Sequence, residues 1–315
     1  MVQLYYNEGM SLRTKALIAI LAAAILWGGA GTVAKLLLAQ ANPFVITGYR
    51  FGAATLIMLP FFLTTKKPKR WLINLLPLGL FNAANVLLYY SGLSLTTANT
   101  SALLGAGVPL TTAITARLLI REPLSRIKLA GITVGLMGAL FIVLVPILEK
   151  GQAIGTNITG NLLLVGSIIA WTLYIVRSRS SLVNGIYTPV VSTFVNFATC
   201  TIAAFGAAII THQSFSIPAF RQLPYVGIFL YAVLGLTITT FFLFQWAVQH
   251  VSATTASLKE YIQLVEGVAL NTLILGERIT PVFLLGSILV VSGVVISTSQ
   301  HVSKKLTALI ESRSP

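Results

Sequence analysis

Long runs of apolar residues recur along the whole chain, and short polar stretches separate them. The runs reach roughly 20 residues, the length that an α-helix needs to cross about 30 Å of hydrocarbon. A segment in lipid must satisfy its own backbone hydrogen bonds, so each run predicts a helix rather than an open strand. The pattern therefore predicts an all-α integral membrane protein. Its ten predicted transmembrane helices are residues 15–38, 43–63, 72–94, 98–119, 127–147, 158–176, 186–210, 223–247, 254–275 and 281–299.

The overall composition supports this interpretation. Hydrophobic residues make up 56% of the 315 residues, charged residues only 9%, and the mean hydropathy is +0.88. Soluble domains carry about 25% charged residues. Arg13 and Lys15 precede the first apolar run, as basic residues precede the core of a signal peptide, but the run is too long for such a core. We therefore interpret it as a helix of the mature protein.

The basic residues are distributed unevenly between the two predicted sides of the membrane. The net charge is +14, and fifteen of the 21 lysines and arginines fall on the side that carries both termini. The connections on the other side hold only Lys150, Arg221 and Arg278. This asymmetry predicts that both termini are cytoplasmic and that residues 300–315 form a cytoplasmic tail. The positive charge then reflects orientation, and we expect no nucleic-acid partner.

The chain also repeats itself. After a shift of 155 residues, small, acidic and glycine positions coincide, and further upstream Trp27 meets Trp171 with a different loop length. Five spans are an odd number, so the second copy enters the membrane from the opposite side. The sequence therefore predicts two inverted five-helix repeats, residues 15–147 and 158–299. The aligned pairs include Ala98 and Ala253, Thr100 and Thr255, Glu122 and Glu277, Gly131 and Gly286, and Gly138 and Gly293.

Several of these segments resemble the EamA family of the drug/metabolite transporter superfamily. The resemblance rests on "ILWGGAGTVAKLLL", on "GLSLTTANTSALLGAGVPLTTAITARLLIREPL" and on its partner ending "LILGERIT". It implies a ten-helix carrier, often an exporter of amino acids or other small metabolites and usually in a bacterial inner membrane. Two features depart from the family: Leu264 stands at the repeat position of Pro109, and the charges of the ninth span are not general family features.

The ninth predicted span carries Lys259, Glu260 and Glu266 despite its apolar character. In a helix, Lys259, Gln263 and Glu266 follow at i, i+4 and i+7 and share one face. Charges near the bilayer centre cost at least ~2.5 kcal/mol each, so they usually face a partner or a cavity. One interpretation is a structural Lys259–Glu266 pair bridged by Gln263, with Glu260 near the inner surface. The other is a substrate pathway in which Lys259 meets a carboxylate and Glu266 binds a proton or a cation.

Other polar and aromatic residues are candidates for a substrate cavity. Asn82, Asn85 and Tyr89 share one face of the third span, where they either bond to other helices or line the cavity. Trp27 and Trp171 are interpreted as cavity walls or packing residues rather than as a cation cage. Arg50, inside the second span, is interpreted as an architectural residue.

Glycine spacing in the fifth and tenth spans indicates helix packing. Residues seven apart lie on one face of a helix, and small side chains allow two helices to approach closely. We therefore assign Gly131, Gly138, Gly286 and Gly293 to helix packing. Glu122 and Glu277 are interpreted as carboxylates that end the fourth and ninth spans.

The sequence predicts a transporter and no enzyme. The chain has no Asp, one Cys and three His, and it contains no metalloprotease, phosphate-loop or nucleophile motif. We therefore expect neither a metal site nor a cofactor. An intramembrane lipid-modifying enzyme and a channel remain the alternatives. The expected partners are a small-molecule substrate and the lipid bilayer, with the protein a monomer or a homodimer.

Overall fold

The computed structural model describes residues 10–96, 101, 104–149, 157–183, 187–275 and 281–311. Within these ranges the chain is helical and forms no β-strand. The helices are α1 (Leu12–Gly28), α2 (Ala30–Leu38), α3 (Pro43–Thr64), α4 (Trp71–Leu95), α5 (Val108–Leu119), α6 (Arg126–Glu149), α7 (Ile158–Leu182), α8 (Pro189–Ile210), α9 (Leu223–Val233), α10 (Thr240–Val248), α11 (Ala253–Ser257), α12 (Lys259–Leu275) and α13 (Pro281–Glu311).

Helix starts coincide with capping residues. The Asn157 side chain accepts the Gly160 N–H at 2.9 Å, and the Asn42 side chain accepts the Phe44 N–H at 2.9 Å. Such side chains satisfy backbone donors that have no partner in the first turn. Pro43 begins α3, where its missing N–H costs nothing. These local signals explain why the observed starts lie close to the predicted ones.

Two helices extend beyond the predicted spans. Helix α7 continues to Leu182 instead of ending at residue 176, and α13 continues to Glu311 through most of the predicted tail. Hydropathy marks the lipid-facing part of a helix, whereas backbone hydrogen bonds continue into the polar flank. The Arg179 guanidinium lies on this extension and donates to the carbonyls of Val248 and Gln249 at the end of α10. Ala98, Thr100 and Glu277 lie outside the described residues.

Four helical regions are interrupted. Gly29 separates α1 from α2, a turn at residues 106–107 precedes α5, and Leu258 separates α11 from α12. Between α9 and α10, residues Leu234–Thr239 form a π-helical segment. Such interruptions free backbone groups for bonding outside the helix, and in membranes they are tolerated where protein or a cavity surrounds them.

Six helical stretches of the described chain are long and apolar enough to cross a membrane, and two shorter ones are also apolar. Their outer surfaces are apolar as well, since side chains such as Ile202, Ile210 and Leu223 are more than 70% exposed. Soluble proteins rarely expose such surfaces. The protein is therefore a multi-pass membrane protein. The six stretches are Leu12–Leu38, Pro43–Thr64, Trp71–Leu95, Ile158–Leu182, Pro189–Ile210 and Leu223–Val248; the shorter ones are Val108–Leu119 and Leu284–Thr298.

The helices of the first half pack mainly against helices of the second half. The most extensive pair is α6 with α13, followed by α4 with α7 and α3 with α8, and α1 packs against α10 and α12. The hydrophobic core thus lies between the two halves of the sequence. A cavity at their boundary is consequently built by both.

Glycines lie where α6 and α13 approach each other. A β-carbon at Gly293 would lie 2.6 Å from the Gly131 carbonyl oxygen, and one at Gly138 would lie 2.7 Å from the Gly286 carbonyl oxygen. Real β-carbons are not found so close to backbone atoms. The structure thus places all four glycines assigned from the sequence at one helix–helix contact.

Candidate functional site

A cavity of about 190 Å³ lies between the two halves of the chain. Pockets for drug-sized ligands occupy about 300–1,000 Å³, so this cavity suits a smaller molecule. Both halves contribute aromatic, polar and charged side chains. The lining residues are Trp27, Ala30, Arg50, Phe51, Asn85, Val86, Tyr89, Tyr90, Ser101, Gly105, Val108, Leu164, Ser167, Ile168, Trp171, Phe241, Lys259, Glu260 and Gln263.

Lys259 occupies an aromatic cage on one side of the cavity. Its ammonium lies 4.2 Å from the ring centre of Trp27, 5.0 Å from that of Trp171 and 5.8 Å from that of Phe244. A cation over an aromatic face is attracted by the ring quadrupole, most strongly when water is excluded. The side chain is only 2% exposed. The two tryptophans therefore do form a cation cage, in addition to packing edge-on against each other at 6.0 Å.

The partner of Lys259 is its neighbour Glu260. The ammonium lies 2.6 Å from Glu260 Oε1 and 2.7 Å from Gln263 Oε1. Trp171 Nε1 donates to the same Glu260 oxygen at 2.8 Å. The Lys259–Glu266 pair, one of the two interpretations of the sequence, is thus replaced by a Lys259–Glu260 pair, and Glu260 lines the cavity.

The interruption at Leu258 places this pair at the start of a helix. Helix α11 ends at Ser257 and α12 begins at Lys259, so Lys259 and Glu260 lie in the first turn of a new helix. There the lysine side chain contacts Glu260, the next residue, and Gln263, one turn later.

Arg50 lies at the cavity wall and is bound to the π-helical segment. Its Nε donates to Thr237 Oγ1 at 2.5 Å, Nη1 donates to the Tyr90 hydroxyl at 2.5 Å, and Nη2 donates to the Leu236 carbonyl at 3.1 Å. Trp27 Nε1 donates to the same carbonyl at 2.9 Å. The π segment thus supplies a carbonyl that both cavity residues use, in line with the frequent occurrence of π turns at functional sites.

The three polar residues of α4 divide between the cavity and the core. Asn85 lines the cavity and donates to the carbonyl and hydroxyl of Ser167 at 3.1 and 2.9 Å. Tyr89 also lines the cavity. Asn82 is fully buried outside the lining and donates to Cys200 Sγ at 3.0 Å. Interhelical bonding and cavity lining therefore occur on the same helix face.

Glu266 lies outside the lining, against the interruption between α1 and α2. Its carboxyl group fills the space beside Gly28, where a β-carbon would overlap it. Its Oε2 is buried and has no hydrogen-bond partner among the described residues. An unpaired buried oxygen is costly. A carboxyl group in this position is therefore suited to accepting a proton.

A second cavity, of about 920 Å³, lies beside the α5–α6 connection. Most of the charged side chains in its lining are basic, namely Arg13, Arg121, Lys128 and Arg179. Within it the Glu122 carboxylate accepts the backbone N–H groups of the first two residues of α11. Between residues 10 and 311, excluding the undescribed segments, no three His, Cys, Asp or Glu side chains gather as they would around a metal ion.

Six of the eight residues expected to bind substrate line the central cavity: Trp27, Asn85, Tyr89, Trp171, Lys259 and Gln263. Asn82 and Glu266 do not. Five further residues line the cavity although the sequence did not predict it: Arg50, Glu260, Tyr90, Ser101 and Ser167. For Arg50 a signal is present, because an isolated charge inside a span already indicates a cavity or a partner.

Comparison with known proteins identifies the family. The model of the EamA-like transporter family matches the chain twice, at residues 14–144 and 158–299. The chain belongs to the EamA-like transporter family. Its relatives include the uncharacterized transporter YetK of Bacillus subtilis (strain 168), 26% identical over 293 residues that cover 90% of this chain and 86% of YetK. They also include the WAT1-related protein At5g13670 of Arabidopsis thaliana, 29% identical over 52% of each chain.

A solved crystal structure shares the fold of this EamA-like protein. It covers 93% of this chain and 99% of its own, with a TM-score of 0.70 and 18% sequence identity. At this identity the likeness concerns the fold alone. The family and the names of its relatives indicate a transporter rather than an enzyme.

Proposed function

We propose that the protein is a secondary carrier that exports amino acids or other small metabolites by alternating access. The observation that carries the proposal is the central cavity, which has side chains of both signs and walls from both halves of the chain. Arg50 and Tyr89 come from the first half, and Trp171, Lys259 and Glu260 from the second. A rocking motion between the halves would open such a cavity to each side in turn.

The helix interruptions support this mechanism. Carrier sites commonly lie where discontinuous helices meet near mid-membrane. Here Gly29, the π segment Leu234–Thr239 and Leu258 interrupt helices whose flanking residues line the cavity or bond to its walls.

Helix packing supports ten spans arranged as two inverted repeats. In a pseudo-twofold arrangement, equivalent helices contact each other, as α3 contacts α8 and α6 contacts α13. The first helix of each repeat also contacts the third span of the other, since α1 packs on α10 and α4 on α7. We propose residues 15–147 and 158–299 as the repeats, residues 300–315 as a cytoplasmic tail, and a bacterial inner membrane with both termini inside.

We further propose that proton movement drives transport through Glu266. The support is its buried Oε2, which lacks a hydrogen-bond partner among the described residues and lies beside Gly28, where α1 is interrupted next to the cavity residue Trp27. A proton on this carboxyl would remove a buried negative charge at the point where α1 could bend.

Uptake into proteoliposomes tests both proposals. A labelled amino-acid mixture is supplied with and without an imposed pH gradient to wild type, Glu266→Gln and the tail variant Glu311→Gln. We expect saturable uptake that follows the gradient in wild type and Glu311→Gln and loses that dependence in Glu266→Gln. Unchanged gradient dependence in Glu266→Gln would remove Glu266 from coupling. If neither amino acids nor other small metabolites are taken up, the carrier proposal is contradicted. Single-channel conductance would show that the protein is a channel instead.

A further inference from the structure

Arg50 is a buried cation surrounded by neutral partners. Its side chain is 7% exposed, and its three acceptors are a threonine hydroxyl, a tyrosine hydroxyl and a backbone carbonyl. Within the described ranges no carboxylate lies within ion-pair distance of it. A buried charge normally requires a counter-charge, and arginine inside a membrane usually faces a partner or a pathway.

The other charges of the cavity are already paired. Lys259 and Glu260 lie 2.6 Å apart, and Trp171 donates to the same carboxylate oxygen. Their charges cancel, so the described lining carries a net charge of about +1 that belongs to Arg50. The guanidinium has five N–H groups, of which three have acceptors in the described structure. Two N–H groups therefore have no acceptor among the described residues and are left for a ligand such as a carboxylate.

We propose that Arg50 binds the carboxylate of the transported substrate and that substrates are small monocarboxylates, amino acids among them. This inference rests on the proposed carrier function and narrows its substrate class. A simple monoanion makes the loaded cavity electrically neutral, which suits an occluded state in a low-dielectric surrounding. A zwitterionic amino acid leaves the net charge of the cavity unchanged and supplies only a local counter-charge to the guanidinium. A phosphate ester, with about −1.5 to −2 charges at pH 7, would leave an excess negative charge there.

The shape of the cavity agrees with this class. Its volume of about 190 Å³ lies below the roughly 300–1,000 Å³ of pockets for drug-sized ligands, in agreement with a small substrate. Leu164, Ile168 and Phe241 provide an apolar wall for a short side chain, while Asn85, Tyr89 and Ser101 provide polar groups. A small molecule whose carboxylate binds Arg50 and whose remaining part is apolar fits this arrangement of polar and apolar walls.

The alternative is that Arg50 only fastens α3 to the π segment. Thr237→Val separates the two roles, because it removes the hydrogen bond from Arg50 Nε but keeps the guanidinium charge. Arg50→Gln removes the charge, and Arg50→Lys keeps the charge without the fork. Arg179→Gln is the matched control, since Arg179 is also partly buried and bonded to carbonyls but does not line the central cavity.

The experiment measures thermal stabilisation of the purified protein by matched ligands and, in parallel, their competition with uptake into proteoliposomes. The ligands are a panel of L-amino acids of different side chains, the same molecules without the amino group, their carboxamides, and alkyl phosphates, all at millimolar concentration. We expect wild type, Thr237→Val and Arg179→Gln to be stabilised by carboxylates and not by amides or phosphates. Arg50→Gln should bind carboxylates about 10- to 100-fold more weakly, the range of a charge-assisted hydrogen bond, and Arg50→Lys should fall between.

Three results would overturn the inference: no carboxylate of the panel stabilises wild type, amides or phosphates stabilise it equally, or Arg50→Gln keeps the carboxylate preference. If Arg50→Gln does not fold, the comparison of carboxylates with amides on wild type decides alone. Uptake that does not depend on a carboxylate contradicts this inference and leaves the carrier function intact. Carboxylate binding through Arg50 without any uptake contradicts the carrier function instead.

Discussion

The carboxylate of Glu122 accepts the backbone N–H of Ala253 at 2.8 Å, a bond between residues 131 positions apart. Thr254 adds its N–H at 3.2 Å and its hydroxyl at 2.7 Å, and Lys128 lies 3.2 Å from the same carboxylate. Glu122 follows α5 in the first half, and Ala253 begins α11 in the second. One carboxylate therefore links the two halves at one end of the bundle.

Replacing Glu122 by glutamine should weaken this link. The amide keeps one acceptor but loses the charge that two N–H groups and an ammonium share, so we expect the free energy of unfolding to fall by about 1–3 kcal/mol. Thermal stability followed by size-exclusion chromatography measures the change. Arg117→Gln, at an exposed position of α5, is the control and should change little. Equal stability of Glu122→Gln and wild type would contradict a role for the link.

The same link should respond to acid. Burial raises the pKa of Glu122, but the Lys128 ammonium and hydrogen bonds from Thr254 and Ala253 outweigh it, so the pKa lies below its ordinary value of 4.5. Because the folded pKa is depressed, the stabilisation is complete above the unfolded value, about 4.3, and is lost as the pH falls through the folded value.

We therefore expect the stability difference between wild type and Glu122→Gln to be constant from about pH 7 to about pH 5 and to shrink below about pH 4.3. Melting temperatures of both proteins at each pH provide the test. His250 and Arg179 line the same cavity, and the comparison at equal pH cancels their contribution. If the stability difference between wild type and Glu122→Gln grew at low pH, the pKa of Glu122 would not be depressed in the folded protein.

The Lys259–Glu260 pair should show strong coupling. Lys259→Gln leaves the Glu260 carboxylate in the cavity wall without its cation, and breaking a buried pair in this way costs about 3–5 kcal/mol. Removing both charges in Lys259→Gln/Glu260→Gln should cost less than the two single changes together. A double-mutant cycle of thermal stability measures this coupling, which we expect to exceed about 1 kcal/mol. Additive effects would show that the pair contributes little.

Gly293 should not tolerate a side chain. A methyl group there would overlap the backbone of α6 at Gly131 and Gly135, so we expect Gly293→Ala to cost about 1–3 kcal/mol. Gly206→Ala is the matched control, because nothing lies within 4 Å of a β-carbon at that helical position. It should be neutral or slightly stabilising. Similar behaviour of both variants would argue against close packing of α6 and α13.

The sequence predicted the helices well because lipid leaves the backbone few alternatives. The second span, expected at residues 43–63, is observed as Pro43–Thr64. The internal repeat also aligns Trp27 with Trp171, and the two rings do meet in the folded protein. These features depend on local periodicity and on comparison of the chain with itself.

The contacts between residues in the cavity wall depend on helix interruptions, which the sequence pattern did not predict. Glu266 shares a helix face with Lys259 but lies seven residues further, about 10 Å along the axis, and this places it beyond the cavity beside Gly28. Lys259 and Glu260 pair in the first turn of α12, directly after the break at Leu258. Arg50 contacts Thr237 and Leu236, which lie in the π segment. This segment could not be predicted from a hydrophobic period of 3.6 residues, because that period describes a regular α-helix.

The positive charge of the cavity bears on the leakage of ions across the membrane. Alkali cations are far more abundant around a cell than any metabolite, and a carrier that let them leak would dissipate the membrane potential. With Arg50 unneutralised and the carboxylate of Glu260 already held by the caged Lys259, a sodium or potassium ion entering the cavity meets net repulsion and no free anionic ligand among the described lining residues. Fixed charge in the described lining therefore opposes the entry of these ions.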